Sequence, residues 1–217
     1  MNYFPYHLTH WSIAGLLALG PLACGTPKMV PGAPIKVALD AKASATINRD
    51  VSGDPLSVVV RTYYLKDKIE FSKLAFDLLA SGRTDQELLG AECLGRSEYV
   101  VVPGATLMES LDLPPGTRYV GVVGFFRKPD PNFWRALVSL EQMKPTKEQR
   151  KKLKLKDTDK GLISLTVQDC YLALSGCVPE LIPGQPQGAK PECESQTSAA
   201  PAPAPVASPS PAKSKKR

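Results

Sequence analysis

Histidine is almost missing from this chain. There are two, His7 and His10, and both fall within the first ten residues. If that segment is a leader, the mature chain has none, which excludes Ser-His and Cys-His catalysis. No CxxC pair occurs, so the usual thiolate and imidazole sets for a metal are missing too. No glycine-rich phosphate loop follows a strand-like run. No apolar run reaches the length of about 20 residues that a bilayer span needs. Basic residues cluster without interleaved aromatics, which argues against nucleic acid. Paired carboxylates, as glycosidases use, remain formally open, but nothing places two of them in a cleft. We therefore expect no enzyme activity, no cofactor, no metal and no small-molecule substrate.

What is present starts with an apolar run at Ile13–Leu22 that ends at Ala23-Cys24-Gly25. Its length suits the apolar part of a secretory signal. Small residues around a cysteine at the end of such a run resemble a bacterial lipobox. The resemblance implies cleavage before Cys24 and acylation of its thiol and new amine. The alternative is an ordinary cleaved signal that contains Cys24. One acyl chain holds a membrane marginally, at about 0.8 kcal/mol per methylene, whereas two or more hold it permanently in effect. By analogy with lipoprotein sorting, Gly25 in place of Asp favours the outer membrane. The tether Thr26–Pro34 carries three prolines and reaches roughly 30 Å when extended.

Four cysteines then remain, Cys93, Cys170, Cys177 and Cys193, an even number suited to an oxidising compartment. An extended run would hold Cys170 and Cys177 about 23 Å apart, too far for a bridge. We expect Cys93–Cys170 and Cys177–Cys193.

The central stretch is Thr117–Val138. Over Thr117–Arg127, Tyr119, Val123 and Phe125 alternate with Val120, Val122 and Phe126. A half-exposed strand would alternate apolar with polar; this one should sit mid-sheet with cover on both faces. Gly121 and Gly124 suggest a close neighbour. A turn at Lys128–Asn132 returns the chain as a second strand, Trp134–Leu140, with Trp134 in the core. Arg127 and Arg135 are expected to face outward or pair with carboxylates.

Ile35–Ala43 and Leu56–Leu65 read as the first two strands, separated by the polar loop Ser44–Pro55. Helical periodicity follows in Phe71, Leu74, Ala75, Leu78 and Leu79, with Ser72 placed as a cap and Gly82 as the stop. A second turn should start at Thr84, with Glu87 completing a capping box. Short strands follow at Glu98–Val102, Thr106–Leu113, Leu162–Val167 and Tyr171–Leu174. Lys144–Lys160 is a basic insertion. It reads as a solvated loop, with or without a short helix; anionic lipid headgroups or peptidoglycan are the partners its charge would suit. From Ser175 on no periodicity survives, and the Pro/Ala-rich, basic end should stay unfolded. Seven or eight short strands with one inserted helix make a mostly β two-sheet sandwich. The organisation expected is a signal at 1–23, lipidated cysteine and tether at 24–34, the sandwich at 35–175 and a tail at 176–217.

Several segments together resemble one family: Asp54-Pro55, then VVVRTYYLKD at Val58–Asp67, Phe71 and Leu78, Leu88-Leu89-Gly90, Pro103-Gly104, YVGVVGFFR at Tyr119–Arg127, and Trp134-Arg135. Following a lipobox, they look like TssJ, the outer-membrane lipoprotein of bacterial type VI secretion. The resemblance spans roughly Ile35–Leu174. It implies a transthyretin-like sandwich without catalytic activity. The partner would be the periplasmic domain of the inner-membrane protein TssM, gripped largely by the loop between the first two strands. That loop carries Asn48, Arg49, Asp50, Val51, Ser52, Gly53 and Asp54. The competing expectation is a periplasmic lipoprotein that binds cell-wall glycan through a sandwich face and the basic tail.

Palmitate labelling tests the anchor: wild type should incorporate label and Cys24→Ser should not. Equal labelling, or none in either, would remove the lipid from the account.

Overall fold

The computed structural model describes residues 32–186 and 190–193. Cys24, the leader and the end of the tail lie outside the described residues. Among the described residues, eight strands form in order: β1 (Ile35–Ala43), β2 (Val58–Leu65), β3 (Cys93–Val101), β4 (Thr106–Leu113), β5 (Tyr119–Phe125), β6 (Arg135–Ser139), β7 (Asp159–Val167) and β8 (Leu172–Ser175). Three short helices stand between β2 and β3: α1 (Ile69–Lys73), α2 (Phe76–Ala80) and α3 (Asp85–Leu89). A fourth, α4 (Lys147–Leu153), precedes β7. The strands make two four-stranded sheets. Sheet A has the order β4-β1-β7-β8 and sheet B the order β3-β2-β5-β6. Every neighbouring pair is antiparallel except β1 with β7. This is the expected mostly β, two-sheet architecture with a helical insert after the second strand.

β5 shows why the chain folds this way. Val120, Val122 and Phe126 enter the core between the sheets, beside Val37, Leu39, Val60 and Ile163. Tyr119, Val123 and Phe125 point the other way, into a second core with Phe71, Leu79, Leu89 and Leu137. The apolar alternation on both faces therefore has two separate destinations. Gly121 is the point of closest approach. A Cβ there would lie 2.4 Å from Cε2 of Phe71, which is fully buried. Gly124 does the same on the opposite face, where a Cβ would meet the ring of Phe126 at 2.4 Å.

The helical insert departs from the single helix expected over Phe71–Leu79. Leu74 adopts an extended conformation, φ −57° and ψ 136°, and splits the run into α1 and α2. Ser72 lies inside α1 and caps nothing at its start, where the cap position is Lys68. The break leaves carbonyls at the end of α1 without helical partners. Arg135 supplies them. Its guanidinium donates to the carbonyls of Phe71, Leu74 and Ser72. It also stacks on Trp134, 4.7 Å from the ring. Burial pulls its pKa down to about 10, so it stays charged at neutral pH. Arg135 thus neither faces outward nor pairs with a carboxylate, as its position beside a turn suggested; it terminates a helix from across the sheet. Trp134 is buried as expected. The Thr84–Glu87 capping box forms at α3, and Gly90 ends it with φ 53°.

The end of the chain is more ordered than its composition suggests. Ile182 is buried in the helix-side core. Glu180 accepts from Lys68 at 2.6 Å, while its own N–H donates to the Leu137 carbonyl. Residues 176–186, expected to be tail, run along the outer edge of β6 as a strap, with the Gln185 side chain donating to the Arg135 carbonyl. Farther along the chain, Cys193 forms a disulfide with Cys170. The expected bridges Cys93–Cys170 and Cys177–Cys193 do not form; Cys93 and Cys177 are free and half-buried. Hydrogen bonds around the bridge favour the pairing. Asp130 donates its N–H to the Cys170 carbonyl and receives the Glu192 N–H on its carboxylate, drawing both bridged cysteines to one turn. Burial raises the thiol pKa of Cys93 and of Cys177, which keeps both protonated and unreactive.

Gly121→Ala should cost about 1–3 kcal/mol by overpacking against Phe71, read by urea unfolding. An unchanged midpoint would show that the helical insert is not seated on β5 as described.

Candidate partner-binding loop

The first interstrand loop runs from the end of β1 to the start of β2. Its composition is mostly polar; of its large apolar residues Val51 and Leu56 are exposed, and Ile47 is fully buried in the inter-sheet core. Next to that root, Asn48 is buried and left-handed, with φ 49°. Asparagine tolerates that conformation better than most residues. Its side chain ties two elements together: Nδ2 donates to the Ser57 carbonyl at 2.8 Å, and Oδ1 accepts the Arg127 N–H at 2.7 Å. Its own N–H donates to the Asp169 carbonyl at 2.8 Å. One residue therefore joins the start of β2, the turn after β5 and the turn after β7.

Arg49 continues the anchoring. Its guanidinium forms an ion pair with Asp169, Nε to Oδ2 at 2.9 Å, and its N–H donates to Oδ1. Asp169 in turn raises the Arg49 pKa, through the hydrogen bond first and charge second. Asp50 shapes the tip. Oδ1 accepts from the N–H groups of Ser52 at 2.8 Å and Asp54 at 3.0 Å. The backbone closes over it, Asp50 N–H to the Asp54 carbonyl and Gly53 N–H to the Asp50 carbonyl. Gly53 takes φ 88°, a conformation that favours glycine.

The expected residues thus sit in one loop with two kinds of role. Asn48, Arg49 and Asp50 spend their side chains on the protein itself. Val51, Ser52, Gly53 and Asp54 are exposed, and Val51 is 78% exposed, the most exposed large apolar side chain described. The result is an apolar tip on a knuckle that its own hydrogen bonds hold in shape. Sequence reasoning missed the clamp on Arg127 and the contact with Asp169; of the loop's large apolar residues only Ile47 is buried, and nothing local sets it apart from Val51 and Leu56. Leu56 is exposed beside the tip, and its N–H donates to the Ile47 carbonyl. Among the described residues no group of three His, Cys, Asp or Glu converges as a metal site, and no helix is long and apolar enough to cross a membrane.

The same positions can be set beside known proteins. Residues 35–159 match the family model T6SS-SciN, described as "Type VI secretion lipoprotein, VasD, EvfM, TssJ, VC_A0113". A chain of a solved structure described as "T6SS protein TssM C-terminal domain (869-1107) from EAEC" is 26% identical. Its TM-score is 0.51, over 64% of this chain and 96% of that one. A chain from a "Type VI membrane complex" is 27% identical with a TM-score of 0.53, over 65% and 98%. The lipoprotein TssJ1 of Pseudomonas aeruginosa shares the fold at 19% identity and a TM-score of 0.52, over 69% and 99%. No curated protein matches.

Asn48→Ala should cost about 2–4 kcal/mol, from unpaired buried groups and a left-handed backbone. Asn48→Gly, which relieves the backbone, should cost less. Equal losses in urea unfolding would show that the left-handed backbone adds nothing, and a Gly variant as stable as the wild type would show that the side-chain clamp contributes nothing.

Proposed function

This chain belongs to the type VI secretion lipoprotein family that includes TssJ, and on that premise we propose that it is anchored to the outer membrane by acylated Cys24. From there it would face the periplasm and help assemble the secretion membrane complex by binding the periplasmic domain of a TssM-like inner-membrane protein. The observation that carries this reading is the loop itself. A family member with a solvent-facing apolar residue, Val51, on a hydrogen-bonded knuckle has a surface ready to enter a partner's pocket. A loop already held in its bound shape loses little conformational entropy on association. Two neighbours come from structures whose descriptions name TssM or the type VI membrane complex, which favours the same partner.

Within the loop, Val51, Ser52, Gly53 and Asp54 make the contact, and Asn48, Arg49 and Asp50 position it. Asp54 adds charge at the rim, which sets encounter rate and specificity more than affinity. The mechanism is binding without chemistry.

Binding of the full-length Cys24→Ser protein to a TssM periplasmic domain, and to isolated peptidoglycan, separates this from the cell-wall reading. Val51→Asp should weaken TssM-domain binding at least about tenfold, the cost of placing a charge in an apolar contact, with unfolding unchanged. Undiminished binding would move the contact off this loop. Binding to peptidoglycan alone would replace the proposed function.

A further inference from the structure

The basic insertion is built into the fold. Thr146 and Gln149 form a capping box at the start of α4. The Arg150 guanidinium donates to the Asp159 carbonyl at 2.7 Å, tying the helix to the start of β7. Leu153 and Leu155 are half-buried over the outer face of sheet A, where Ala38 and Leu162 are buried in turn. Gln149, Arg150 and Leu153 thus occupy the sheet side of the helix, and Lys147 and Lys151 the solvent side. Lys154, Lys156 and Lys160 follow beyond the helix, all exposed, with Lys154 and Lys156 at the rim of a cavity on the outer face of sheet A. Among the described residues no carboxylate pairs with any of these five lysines.

The charge is concentrated. Lys144–Lys160 holds eight basic and three acidic residues, a net +5 (8 − 3) against a formal net charge of +6 for the chain. Its position also matters. The insertion leaves β6 and returns through Asp159, which lies beside Lys36 at the start of β1. Gly32, just before β1, lies against Pro115 at the same end. Cys24 is eight residues before Gly32 and can stand at most about 28 Å from it. The tether therefore feeds directly into the sheet whose outer face carries the lysines.

We propose that this face of sheet A lies on anionic phospholipid headgroups of the leaflet that holds the lipid. The proposal rests on the anchored reading above. The acyl chains would confine the body near the membrane, and the lysines would turn one face toward it. The opposite end of β1, where the loop begins, is left free. Such attraction is electrostatic and screened by salt.

Vesicle co-sedimentation of the mature-length chain, residues 24–217 with Cys24→Ser, tests it without the lipid or the apolar leader. Vesicles of phosphatidylethanolamine with phosphatidylglycerol should bind the protein at low salt, and phosphatidylcholine vesicles should not. Replacing Lys147, Lys151 and Lys156 with Gln should lower partitioning about 100-fold, at roughly fivefold per lysine near a charged surface. The corresponding Arg variants should retain it. Absence of binding by the parent, or equal binding by the Gln variants, would overturn the proposal. So would binding to peptidoglycan in place of vesicles, or loss of TssM-domain binding in the Gln variants, which would make this face a protein interface. Vesicle binding that follows the lysines in a protein that ignores the TssM domain would uphold this proposal and sink the assembly function instead.

Discussion

Two-sided burial of β5 is the constraint on which the structure depends. A strand that is apolar on both faces needs two covers, and one sheet supplies only one. Sheet A covers the face with Val120 and Val122. The other face takes Phe71, Leu79 and Leu89 from three very short helices, none of which would be stable alone. They persist because they are packed on the strand and because Arg135 satisfies the carbonyls where α1 breaks off. The strap adds Ile182 to the same core, and farther along the chain Cys193 is bridged to Cys170. Removing the helices would expose a sheet face to solvent; removing the glycine at 121 would lift them from it.

In the proposed assembly that body has two working ends. β1 has nine residues and spans about 30 Å. The tether and the roots of the basic insertion lie at its start, and the candidate binding loop begins at its end. In the proposed assembly, membrane contacts and partner contacts need not compete for surface. The loop moves little relative to the sandwich because Asn48 and Arg49 fasten it to the turns after β5 and β7. A partner seated on Val51 is thereby held by the whole domain.

What could be read from the sequence follows the range of the physics. The alternation of Tyr119–Phe126 announced two-sided burial because strand periodicity is local. The Thr84–Glu87 capping box was legible for the same reason. An equivalent Thr146–Gln149 box sits in a run of lysines with no apolar stripe beyond it, so the sequence left loop and short helix open where α4 forms. Asn48 was legible as part of a loop but not as its clamp, since its partner Arg127 is 79 residues away. The Arg135 caps act across 61 to 64 residues and left no local trace. The disulfide was misread because Cys193 lies among residues that carry no periodicity.

The central claim is that the first interstrand loop is where this chain grips its neighbour. Hydrogen–deuterium exchange of the chain, alone and mixed with a TssM periplasmic domain, addresses it most directly. The account predicts new protection at residues 50–57, with β4 and α4 on the outer face of sheet A unchanged. Protection confined to sheet A or to the strap, with the loop exchanging as freely as before, would contradict it.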